Sequence, residues 1–216
     1  MYVCVCGGQM IEKHEKMRIS DKVFGRIGFS HTFCVSHLSH HENVQHFVGD
    51  IKMNLFYLHW DINEIVKSMN NKHVVKMLLE SAQMLCTAHW CHNRNVKELK
   101  DLYRPVHVKH PTTIWTRESA VQYSFHYNLF VAICDEYTYR YGKVHSTDKK
   151  FRGRLEKPPE KIADIITWRE PPQCMPEECK VEGDAITAYR QYYKKYKIGF
   201  SRPQDYLKRE RPVWLD

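Results

Sequence analysis

Lys72-His-Val-Val-Lys-Met-Leu-Leu-Glu-Ser-Ala-Gln-Met-Leu-Cys-Thr-Ala-His-Trp-Cys91 is the most strongly periodic stretch of the chain. Val74, Val75, Leu78, Leu79, Ala82, Leu85 and Cys86 recur at spacings of three and four, the signature of a helix that buries one stripe, and Asn71 is placed to cap it. About five turns of helix are expected here, at the centre of the core. Downstream, Ile114–Tyr141 shows a second such pattern through Trp115, Ala120, Tyr123, Tyr127, Phe130, Val131 and Cys134, and Gly142 supplies a stop. A third helix is expected over Gly183–Tyr196, where Ala185, Ile186, Ala188, Tyr189, Tyr192 and Tyr193 cluster.

Between these lie weaker signals. Met53-Asn-Leu-Phe-Tyr-Leu58 is a short apolar, aromatic run suited to a strand or an extended start of the domain, and Asp61–Ser68 reads as a short helix capped by Asp61. Arg94–Leu102 is polar, a short helix or a connector. Lys149–Pro172 is basic and proline-punctuated, mostly loop, with one short element expected over Lys161–Trp168. The expectation is a mainly α, compact multi-helix domain over 53–216 with a short extended segment at its start. Residues 1–52, with Cys4, Cys6 and the histidine- and serine-rich run Ser30–His46, read as a poorly structured or accessory extension.

The chain has 216 residues, 43% hydrophobic and 27% charged, enough to bury one sizeable core. Thirty-three Lys and Arg against 25 Asp and Glu give a formal charge of +8, which favours acidic partners. No run approaches the ~20 apolar residues of a membrane span, so no membrane association is expected and the reading is of a protein inside a cell, cytoplasmic or nucleoid-associated. Eight Cys are too sparse for a disulfide scaffold, and reduced thiols are expected. Cys86, His89, Cys91 and His92 are close in sequence, but they lack the paired spacing of a structural zinc site, and neither metal nor cofactor is expected.

His73, Lys76 and Glu80 fall on one side of the first long helix, with Gln83 extending the edge, so that an imidazole, an ammonium and a carboxylate line up over two turns. This is either a proton-transfer and anion-binding stripe or a solvated face. His110-Pro-Thr-Thr-Ile-Trp-Thr-Arg-Glu-Ser119 feeds a helix start where backbone N–H groups and Arg117 would receive a phosphate; Thr112 or Thr113 is equally an ordinary cap. Tyr137–His145, containing Arg140 and Lys143, and Tyr189–Lys197 interleave aromatics with cations, as a surface for stacked bases would, or as helix ends that pack and solvate.

Met53–Gln83, with Asn54-Leu55, Asn71-Lys72-His73 and Glu80, resembles the opening of the pyrimidine-dimer DNA glycosylase family of endonuclease V type, and Ser81–Gly142 fits its following long-helix region. The resemblance implies a small all-α fold, double-stranded DNA as partner, a duplex-opening role for His73 and a catalytic role for Glu80. The family's nucleophile is the α-amine of an N-terminal Thr; here no Thr stands at Met53-Asn54, and Leu79 and Gln83 replace the family's arginines beside the Glu. Lys76 or the Met53 amine would have to substitute. His110-Pro111, Trp115–Ser119 and Glu136–Lys143 are also similar to stretches of uncharacterised proteins of large DNA phages and viruses.

These readings give a DNA base-processing enzyme, a glycosylase or AP-lyase acting on damaged or modified pyrimidines, with Glu80, His73, Lys76 and Met53 as catalytic candidates. Gln83, His110, Thr113, Arg117, Arg140 and Lys143 would bind the substrate. The alternatives are a non-catalytic DNA- or RNA-binding accessory protein and an enzyme acting on a free nucleotide or modified base. Oligomeric state is not readable from the sequence.

Overall fold

The computed structural model describes residues 53–93 and 99–216. The readings made for residues 1–52, and for part of the 94–102 connector, lie outside them. Asp61 starts the first helix, α1 (Ile62–Ser68), by accepting the backbone N–H groups of Asn63 and Glu64 at 2.7 and 3.2 Å. The chain then turns through Met69. Asn70, one residue before the expected cap, accepts the His73 N–H at 2.9 Å and opens α2 (Asn71–His92). Val74, Leu78, Ala82, Leu85 and Cys86 are buried as their spacing predicts, whereas Val75 and Leu79 face outward.

The single helix expected over Ile114–Tyr141 is two: α3 (Pro111–Thr116) and α4 (Ala120–Tyr141). Ser119 causes the break. Its backbone is extended and its hydroxyl accepts the Gln122 N–H, so a local side-chain bond replaces helix continuation. Gly142 ends α4 as predicted, at φ 68°, a left-handed conformation that glycine adopts without strain. The segment expected to be loop from Lys149 is helical at its start, since α5 (Ser146–Phe151) is capped by His145, and no helix forms over 161–168. The last helix, α6 (Ala185–Tyr196), is capped by Asp184 through the Thr187 N–H at 2.9 Å. Short 3-10 turns follow it to the C-terminal end.

The architecture is a mainly helical domain with no strand among the described residues. α2 and α4 pack antiparallel: His89 near the end of α2 meets Tyr123 near the start of α4, while Asn71 at the start of α2 meets Arg140 near the end of α4. Residues 53–58 are not a strand but an irregular segment, with Phe56 held at φ 48°. Asn54 stabilises that bend by accepting the Leu55 N–H at 2.9 Å and the Phe56 N–H at 3.4 Å. The Phe56 ring then stacks on His73 at 4.1 Å and meets Tyr189, Tyr192 and Tyr193 of α6, tying the third long helix to the start of the first.

Candidate functional site

His73 is sealed. Its ring is 5% exposed, stacked on Phe56 and hydrogen-bonded through Nδ1 to the Tyr193 hydroxyl. Burial, reinforced by Lys197, Lys76 and Lys72, pushes its pKa down to about 3, so the imidazole is neutral at physiological pH. Met53 is also buried. Glu80 is paired with Lys76 at 3.3 Å, and its other carboxylate oxygen is buried without a partner; burial raises its pKa against the pull of Lys76. Gln83 is half-buried on the same edge. His73 is closed within the core, whereas the Lys76 side chain is more than half exposed, so the three do not open to solvent as one site.

The second expected cluster is mostly helix punctuation. His110, not a threonine, caps α3 by accepting the Thr112 N–H at 3.3 Å, and Thr113 is fully buried. Arg117 is the C-cap of α3, its carbonyl accepting from His92 Nε2 at 2.8 Å, so it lies at the helix end and not on its first turns. Arg140 is buried inside the fold. Its guanidinium bonds Glu136 at 2.7 Å, Asn71 at 3.0 Å, and the carbonyls of Val66 and Lys67 at 3.3 and 3.2 Å, closing the C-terminal end of α1. Lys143 is exposed just beyond α4. Among the described residues no group of three or more His, Cys, Asp or Glu side chains is arranged to hold a metal ion.

Cations do converge elsewhere. A cleft of about 610 Å³ lies between α1, α6 and the C-terminal segment, lined by His59, Lys67, Arg190, Lys208, Arg209 and Arg211, with Glu64, Glu210 and Trp214 among its other walls. Most of these charges are already engaged. Arg209 grips Glu136 with two bonds of 2.9 and 2.8 Å, Lys67 pairs with Glu64 at 2.7 Å, and Arg211 bonds Asp216 and the carbonyls of Ser201 and Leu215. Burial alone would raise the Glu136 carboxyl, but Arg209 and Arg140 outweigh it and hold it below the usual carboxylate range.

Arg190 is different. Its Nε donates to the Leu58 carbonyl at 2.9 Å and its guanidinium lies over the Trp214 ring at 5.3 Å, while its two terminal nitrogens take no part in the hydrogen bonds of the described residues. Burial lowers its pKa from the ordinary arginine value, opposed by Asp184, so this cation is partly stripped of water yet remains charged. His59 accepts the Asp61 N–H on Nδ1 at 2.9 Å, which leaves Nε2 as the proton-bearing donor of the neutral ring. Lys208 sits at φ 59°, a strained conformation for a residue with a side chain, pinned by its Nζ donating to the Tyr139 carbonyl at 2.7 Å. Beside His59, its ring centroid 5.1 Å away, Trp60 is 72% exposed.

The sequence reading singled out none of His59, Trp60, Arg190, Lys208 or Trp214 as a site residue. Arg190 lies in the Tyr189–Lys197 run of interleaved aromatics and cations, and that composition is the available signal. No family model, curated protein or solved structure matches the chain. That finding corrects the expectation of DNA binding, DNA repair, glycosylase, hydrolase or lyase activity and of a viral protein, none of which has a match to rest on.

Proposed function

We propose that the protein binds a phosphorylated small molecule of the free-nucleotide class in the cleft between α1, α6 and the C-terminal segment. The observation that carries this reading is Arg190, whose Nε bond and Trp214 contact fix the guanidinium while leaving its terminal N–H groups unspent. A planar, pre-oriented fork of donors matches phosphate oxygens and loses little freedom on binding. His59 Nε2–H and the Lys208 ammonium stand in the same walls and add donors. The volume lies within the range of small-molecule sites, and Trp60, an exposed ring beside the lining residue His59 and not itself in the lining, offers a base a face on which to stack. Nothing in this reading depends on an endonuclease V type fold, and no catalytic step is part of it.

Isothermal titration with AMP, ribose 5-phosphate and adenosine tests the proposal. AMP should bind more tightly than either fragment, with affinity falling as salt rises. Arg190→Gln should weaken AMP binding about tenfold or more, the equivalent of ~1.4 kcal/mol, with Arg190→Lys in between because it keeps the charge and loses the fork. Equal affinity for AMP and adenosine, or indifference to Arg190→Gln in a folded protein, would remove the phosphate from the cleft.

A further inference from the structure

A second cavity adjoins the Arg190 cleft. Lys67 and Arg209 line both, so the two spaces meet at these side chains. The second holds about 500 Å³ between α1 and α4, two helices that pack on each other. Its α1 wall is Ile62 and Val66, one turn apart, and its α4 wall follows one helical stripe from Asn128 through Val131 and Ala132 to Tyr139. Val66 is buried, and Ile62, Val131 and Ala132 are partly buried against the main core, so the groove has an apolar floor.

The two spaces differ in what they offer a ligand. The cleft presents the uncommitted terminal N–H groups of Arg190. In the groove the charged walls are already paired within the fold: Lys67 with Glu64 at 2.7 Å, Asp135 with Arg152 at 2.6 Å, and Glu136 with Arg140 and Arg209 at 2.7 and 2.8 Å. Paired charges attract a further anion weakly, whereas half-covered apolar surface gains from being covered completely. Arg209, the shared wall, is fixed by its two bonds to Glu136 and by the Tyr139 ring 4.1 Å from its guanidinium. An anion site and an apolar trough are thus held side by side by one immobile side chain.

We infer that the ligand of this site is a nucleotide whose phosphate is esterified to an apolar group. The phosphate sits on Arg190, and the apolar arm passes Lys67 and Arg209 into the groove between α1 and α4. This inference rests on the reading of Arg190 as the phosphate residue and adds the second half of the ligand. A bare nucleotide would leave the floor of Ile62, Val66, Val131 and Ala132 wet; a diester with an apolar arm matches both spaces at once.

The methyl, butyl and octyl esters of AMP test it, titrated calorimetrically into the full chain. Their heads carry the same single charge, so only the arm varies. Affinity should rise along the series, with the octyl ester binding at least about tenfold more tightly than the methyl ester. Val131→Gln, at a half-buried position of α4, should cut that gain to about threefold or less, a loss in line with placing a polar amide under the arm. Equal affinity of the methyl and octyl esters, with AMP binding still lost in Arg190→Gln, would overturn the apolar arm and leave the phosphate site standing. A gain that persists undiminished in folded Val131→Gln would overturn it too, by placing the arm elsewhere. Failure of AMP and all three esters to bind, or indifference of every one of them to Arg190→Gln, would remove the phosphate site and the arm together.

Discussion

His73 and Arg190 are basic side chains on α2 and α6, and the fold treats them in opposite ways. At His73 the surroundings are complete: Phe56 covers the face, Tyr193 takes Nδ1, and the ring is neutral. At Arg190 they are incomplete: Leu58 and Trp214 hold the guanidinium while its terminal N–H groups stay unused. What marks a ligand site in this molecule is therefore unspent hydrogen-bonding capacity on a fixed side chain. Residue type and helical spacing, which favoured His73, Lys76 and Glu80, do not report that quantity.

The sealed side of this contrast can be broken most severely at Arg140. Arg140→Ala leaves Glu136 buried with Arg209 as its remaining cation and uncovers the end of α1, and should cost about 3–5 kcal/mol in denaturant unfolding. A loss below ~1 kcal/mol would show that the network is not sealed. Acid comes next. His73 and His126 are neutral when folded, with pKa values near 3, and take up protons from pH 6.5 downward when unfolded. Below that pH the unfolded state binds more protons, so stability falls as pH drops from 6.5 toward 3. Between pH 6.5 and 5, above the range where carboxylates titrate, each histidine should remove up to about 2 kcal/mol, measured by urea melts at each pH. Stability flat across that interval would mean the rings are open to protons.

The open side is sharpened by smaller effects. Trp60→Ala should weaken AMP binding about fivefold, in line with ~1 kcal/mol for stacking, and leave ribose 5-phosphate unchanged in the same titration. Equal losses for both ligands would assign Trp60 to the cleft's shape instead of to the base. Smallest of all, Glu80→Gln should shift AMP affinity by less than about twofold, because Glu80 does not line the Arg190 cleft. A larger shift would return the site to α2.

The long helices were legible because burial writes itself into spacing: Val74, Leu78, Ala82 and Leu85 lie inside, and Gly142 stops α4 at a left-handed turn. The break before α4 was legible too, in Ser119 followed three residues later by Gln122, a capping-box pattern that the apolar periodicity across it obscured. The bend at Phe56 was not. It depends on Asn54 folding back and on aromatic rings arriving from α6, more than 130 residues away in sequence. The cleft was hidden for the same reason, since His59, Arg190 and Trp214 come together only when three distant segments meet, and whether Arg190 is spent is decided by the Leu58 carbonyl.

Ligand chemistry that resides at Arg190 and not along α2 will show itself in a nitrogen-15 NMR titration with AMP. The Arg190 side-chain N–H and Trp214 indole N–H resonances should move together with a single saturating dissociation constant, while the backbone amides of Lys76 and Glu80 stay in place. Saturable shifts at Lys76 and Glu80 with Arg190 and Trp214 unmoved would contradict it.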